Sequence, residues 1–237
     1  MGLIGTILSI AASVAELTGF NVRDLAQRWS SAAPATLSSE TRSVLRARLR
    51  PLTADGALSV DESRELRAYV ANLKLEAQPA EQYLVEIEPR MLQAARNAQE
   101  GAELAAQERF PEARARFREA TRLDGENATA WANLGGAALE LGVTTEAEAA
   151  LRKALALEPQ SIEANYNLGA CLAAQKRGPA ALDHLERSMT LLLHGDAPPV
   201  FSRQALLDDL QTSDDFSALR GSDRFDALIR RIYADFR

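Results

Sequence analysis

The chain has 237 residues, 46% of them hydrophobic and 5% aromatic, with 27 Lys and Arg against 33 Asp and Glu for a net charge of −6. A chain this long can bury a sizeable core, and its acidic surplus excludes sequence-independent nucleic-acid binding, which needs a cationic surface to displace counterions from phosphates. The single cysteine, Cys171, excludes an internal disulfide. The two histidines, His184 and His194, have no acidic or thiol cluster beside them in sequence, so neither a metal nor a cofactor is expected.

Ala, Leu, Arg and Glu dominate and β-branched residues are sparse, which favours an all-α fold. The charge is uneven. Residues 1–78 carry nine basic against eight acidic residues, while 79–237 carry 18 against 25. Twenty-four Arg against three Lys points to a GC-rich bacterial genome, and a cytoplasmic location is expected.

The first segment is apolar from Leu3 to Leu17, with Gly2, Thr6, Ser9, Ser13 and Glu16 as a narrow polar stripe. A helix apolar over most of its circumference must hide its surface. It can be a core helix of an N-terminal bundle, an interfacial or self-associating helix, or a membrane span, although about 20 residues are needed to cross a bilayer. No Lys or Arg precedes it, which argues against a signal peptide. A small-residue, proline-containing stretch around Pro34 then reads as a linker.

The next helix carries Arg42, Arg46, Arg48 and Arg50 around Val44, Leu45 and Leu49. Those arginines can meet an anionic lipid or phosphate, or form a solvated and ion-paired face. Near-neutral charge in this region favours the ion-paired face. Asp55, Gly56, Ser59 and Glu62 echo part of a calcium loop, but Pro51 and Thr53 occupy two ligand positions where carboxylates are needed. A turn at Asp55-Gly56, followed by a capping box of Ser59 and Glu62, accounts for the same residues.

From about residue 94 the sequence repeats itself. Asn133, Leu134, Gly135, Ala147 and Leu151 recur 34 residues later as Asn167, Leu168, Gly169, Ala181 and Leu185. The same step backwards meets Gly101, Ala113, Phe117 and Ala120. A period of 34 with this pattern resembles the tetratricopeptide repeat, in which each unit is a pair of antiparallel helices. Three copies are assigned, at about 94–127, 128–161 and 162–195. Gly135 and Ala147 are expected to be small because two helices cross there, with Trp131, Leu134 and Leu151 filling the space beside them. Pro159 closes the second copy, and Thr145 with Glu148 fits a capping box.

The third copy is followed by a turn-rich break and two helical stretches. One has Phe201, Ala205, Leu206 and Leu210 on a side; the other has Phe216, Leu219, Phe225, Leu228 and Ile232 at helical spacing around Gly221. The latter stretch resembles the closing segment that follows repeats of this family. The expected architecture is an α-solenoid of helix pairs. It comprises an N-terminal helical region at 1–78, repeats within 79–195 and a C-terminal cap at 196–237.

No phosphate loop and no nucleophile with a matched histidine is present, so the chain is not read as an enzyme. The resemblance implies a groove, lined by the first helix of each pair, that binds a peptide or protein partner. The groove-facing positions it implies include Gln99, Asn133, Glu140, Tyr166 and Asn167. Gln99, Asn133 and Asn167 then form a ladder of amides, able to grip an extended backbone or to tie neighbouring repeats together. Family members that clamp the C-terminal carboxylates of heat-shock chaperones use Lys and Asn. Here Asn133 matches, but Ala98, Ala102, Glu163 and Asn167 stand at the other clamp positions, and a glutamate would repel a carboxylate. A non-enzymatic adaptor is the expected function. The alternative is a self-assembling, homo-oligomeric or membrane-peripheral protein acting through residues 3–17.

Overall fold

A computed structural model of the chain describes residues 37–73, 77–194 and 203–234. Among these residues the fold is all-α, with ten α-helices and no strand. They are α1 (Ser39–Leu52), α2 (Val60–Asn72), α3 (Ala77–Ala106), α4 (Phe110–Leu123), α5 (Ala128–Glu140), α6 (Thr144–Leu157), α7 (Ile162–Ala174), α8 (Gly178–His194), α9 (Arg203–Thr212) and α10 (Asp223–Ala234). A short 3-10 turn, Asp214–Phe216, separates the last two. The apolar segment 3–17, the linker around Pro34, Phe201 and the side chains of Ala205 and Leu206 lie outside the described residues.

The chain divides into two compact units, one drawn from Met1–Leu49 and Ser59–Glu88, the other from Arg50–Leu58 and Pro89–Arg237. In the first, Leu45 and Leu49 of α1, Leu66 and Val70 of α2, and Ala80, Leu84 and Ile87 of α3 are buried. Their three- and four-residue spacing gives each helix one apolar face. Burying one such Leu contributes about 2 kcal/mol, against about 0.5 kcal/mol for an exposed ion pair, so the apolar faces decide the packing. The arginines of α1 are used internally: Arg46 donates to the Tyr83 hydroxyl at 2.7 Å, Arg48 pairs with Glu65, and the Arg42 guanidinium lies 5.7 Å from the Tyr83 ring centre. Ser59 and Glu62 form the expected capping box at the start of α2.

The second unit opens with Arg50–Leu58. Gly56 adopts φ +76°, its carbonyl accepts from Arg96 at 2.9 Å, and Asp55 caps the turn by accepting from the Ala57 amide. Arg50 forks onto the buried carboxylate of Asp124 at 2.8 and 3.1 Å. Such two-point pairing carries both charge and orientation.

The helix pairs α3/α4, α5/α6 and α7/α8 follow. In each, the first helix carries a glycine against which the second helix closes. A Cβ on Gly101 would sit 2.7 Å from the Phe117 ring, on Gly135 2.5 Å from Leu151, and on Gly169 2.7 Å from Leu185. The close approach expected from the sequence is thus the reason for the glycine in all three copies. Each pair is joined by the same turn. Glu108, Gly142 and Lys176, 34 apart, all have φ of 60–68°. The two residues ending each turn donate back to the first helix's last carbonyls, as in the Arg109 to Leu104 and Glu108 to Ala105 bonds. That is a Schellman closure, which needs a left-handed residue.

Two local expectations differ from the structure. The helix of the first copy does not start near 94; α3 runs unbroken from Ala77, with Pro89 inside it. Position 93 is Gln, where the later copies have the capping residues Asn127 and Ser161. No capping box forms at Thr145 either. The α6 helix starts at Thr144 after Val143, so Thr145 stands inside the first turn and the N-cap residue has no side-chain acceptor; the Glu148 carboxylate meets Arg177 at 2.6 Å, Arg152 at 2.7 Å and Gln175 at 3.0 Å.

The C-terminal segment covers the third pair. Leu207, Leu210, Phe216, Leu219, Phe225, Leu228 and Ile232 are buried in one core with residues of α5 to α8. Arg224 of α10 bridges Asp183 and Glu186 of α8 at 2.7 Å. Gly221 makes its turn at φ +81°.

Candidate partner-binding groove

The first helices of the second and third pairs lie side by side. A Cβ on Gly136 of α5 would be 3.3 Å from the Asn167 amide nitrogen of α7. This juxtaposition places the one-per-repeat amides along neighbouring helices. Gln99 is exposed, and Asn133 and Asn167 are half-buried. None of the three is hydrogen-bonded to a described residue. Other amides in the same unit are engaged: Asn97 donates to the Gln93 carbonyl, Asn127 accepts from the Ala130 amide, Asn165 donates to Ser161 and Gln175 to Glu148.

Tyr166 departs from the expectation of an open groove position. Only 8% of it is exposed, because the C-terminal segment lies on it. Its hydroxyl donates to Asp209, and its ring meets Phe216 edge-on at 5.7 Å. Burial and the adjacent carboxylates push the phenol well above its usual range. Tyr166 therefore anchors the C-terminal segment to α7. Ala132 of α5 and Ala170 of α7 are buried.

Glu140, at the end of α5, is exposed. Partial burial of its carboxyl raises its pKa, and the charges of Asp215, Asp209 and Glu108 push it further. Asp215 is raised in turn by burial and by Asp209 and Asp214. Burial alone raises Glu163. Asp209 and Asp215 were not among the residues singled out from the sequence. They lie about 70 residues along the chain from Glu140, and only the fold brings them near it. Among the described residues, no group of three or more His, Cys, Asp or Glu is placed to hold a metal ion.

The tetratricopeptide-repeat family model matches residues 99–162 and again 137–189, the stretch in which the three glycine-crossed pairs stand. This stretch is a tetratricopeptide-repeat array. Two solved structures are similar to the chain. The Arabidopsis OM64 TPR domain is 17% identical over 61% of this chain and 98% of its own, with a TM-score of 0.44. The TPR2AB domain of yeast Sti1, in its pHSP90 complex, is 21% identical over 74% of this chain and 57% of its own, with a TM-score of 0.43. No curated protein matches significantly. Within the tetratricopeptide array, Trp131 donates its indole N–H to the Gly125 carbonyl at 2.9 Å. Asn165, the equivalent residue one repeat later, reaches the equivalent Pro159 carbonyl at 3.5 Å. Two different side chains thus secure the same loop, which is why the third copy folds without its tryptophan.

Proposed function

We propose that the chain is a non-enzymatic adaptor whose tetratricopeptide groove holds an extended segment of a partner protein. The observation that carries this is the ladder of Gln99, Asn133 and Asn167, three amides on successive first helices with no hydrogen bond to the described protein. An amide offers two donors and an acceptor, so a free one beside a groove matches the alternating N–H and C=O of an extended backbone. The tie between repeats that these amides could have formed is made instead by other groups, including Cys171 and Gln175 on the Thr144 carbonyl. Alanines at 98 and 102 leave the groove open, and Glu163 opposes an acidic chaperone tail. Residues 1–78 serve as the attachment region in this reading.

The test is the double variant Asn133→Ala/Asn167→Ala, purified beside the unaltered chain and compared for partner capture from the native host. Each lost hydrogen bond costs about 1 kcal/mol, so partner affinity falls by about tenfold or more, with helical circular dichroism unchanged. Equal capture by both proteins overturns the groove as the binding site.

A further inference from the structure

Carboxylates of the array divide into two populations. Those on the second helices are neutralised by arginine: Glu112 by Arg109, Glu119 by Arg122, Glu146 by Arg114 and Arg118, Glu148 by Arg152 and Arg177, Asp183 and Glu186 by Arg224. Several of these pairs bridge one repeat to the next. Around Glu140, at the end of α5, the pattern reverses. Glu108, Glu140, Asp209, Asp214 and Asp215 form no ion pair with a described residue, although they lie close enough to Glu140 or to one another to act electrostatically. Tyr166 gives Asp209 one hydrogen bond but no charge. Arg220, on the cap itself, turns its guanidinium to the Ser213 carbonyl.

We infer that the segment held in the groove is basic, an extended peptide whose Lys or Arg side chains meet Glu140 and Asp215 while its backbone meets Asn133 and Asn167. This rests on the groove reading given above and names its partner class. Three observations carry it. Glu140 shares α5 with Asn133, standing seven residues, two helical turns, beyond it, while Asp209 and Asp215 come from the C-terminal segment that packs on α7. The array has arginine enough to neutralise such a cluster, yet places it on other carboxylates, including Glu100 of α3, which Arg116 meets at 3.2 Å. The carboxylates are also not gathered for a metal ion, whereas cations spaced along an extended chain would reach them one at a time. A positive segment relieves their mutual repulsion, and complementary charge selects partners and speeds encounter.

The experiment presents a random library of 12-residue peptides to the full chain, immobilised at physiological salt, and sequences what is retained. The inference expects retained peptides to carry at least twice the Lys and Arg of the input. Glu140→Gln/Asp215→Asn abolishes that enrichment. Glu112→Gln/Glu119→Gln, which removes the same charge from α4, leaves it intact. Asn133→Ala/Asn167→Ala lowers retention whatever the peptide's charge. If retention needs the two asparagines but shows no basic bias, the basic partner is overturned and the groove reading stands. Enrichment that survives in every variant overturns both. Enrichment lost equally in the α4 variant marks attraction to net charge and overturns the site, and so does a wild-type chain that retains no more than bare matrix.

Discussion

At the scale of single residues, much of the array was readable because steric demands leave few options. Glycine at 101, 135 and 169 answers a crossing too close for a Cβ, and the 34-residue spacing alone exposes it. The left-handed turn residues were not read from the sequence, since only one of the three, Gly142, is glycine. Glu108 and Lys176 hold φ near 60° in exposed turns, where a side chain is strained and glycine is not. Replacing Lys176 with glycine is expected to stabilise the chain by about 0.5–1 kcal/mol, part of the relief being offset by the looser unfolded chain. A rise in the urea midpoint at unchanged slope checks this, and a fall counts against the strain argument. The burial of Tyr166 is not legible locally for a different reason: its neighbours Asp209 and Phe216 come from far along the chain.

At the scale of elements, the sequence signals competed and one kind won consistently. A Ser or Thr followed three residues later by Glu predicts a capping box twice. At Ser59, which stands at the N-cap itself, the glutamate reaches back and the box forms. Thr145 lies inside the first turn of a helix whose N-cap is Val143, so it caps nothing, and Glu148 pairs with two arginines and a glutamine. The real caps of the array are Asn127 and Ser161, again 34 apart. Ser161→Ala is therefore expected to cost about 1 kcal/mol in chemical unfolding. Thr145→Ala should fall within about 0.5 kcal/mol of the unaltered chain. Equal losses from both substitutions would restore the Thr145 cap. The α3 helix makes the complementary point. With no capping residue at 93, nothing stops the helix that opens the first copy from continuing upstream to Ala77.

At the scale of the whole molecule, the acidic surplus is distributed rather than uniform, and that distribution has a pH signature. Burial and neighbouring carboxylates raise Glu140 and Asp215 in the folded chain, so folding favours their protonated forms. Their ionisation thus costs stability that is fully felt above the folded pKa and vanishes below the ordinary values of 4.5 and 3.8. Glu140→Gln is expected to raise the thermal midpoint slightly at pH 7.5, by about 1 °C given its exposure, and to leave it unchanged near pH 4. A variant less stable at pH 7.5 would show instead that Glu140 has a stabilising partner. Among the described residues no helix is long and apolar enough to cross a membrane. The sequence by itself determined the helix pairs, their period, the glycine crossings and the apolar face of the closing segment, because each depends on spacing within about 34 residues. Only the tertiary structure decided which polar groups remain free. Asn133 and Asn167 stay unbonded while Asn165 is engaged, and Glu148 is neutralised while Glu140 is not, because hydrogen bonds and charges are settled by distant neighbours that only folding brings near.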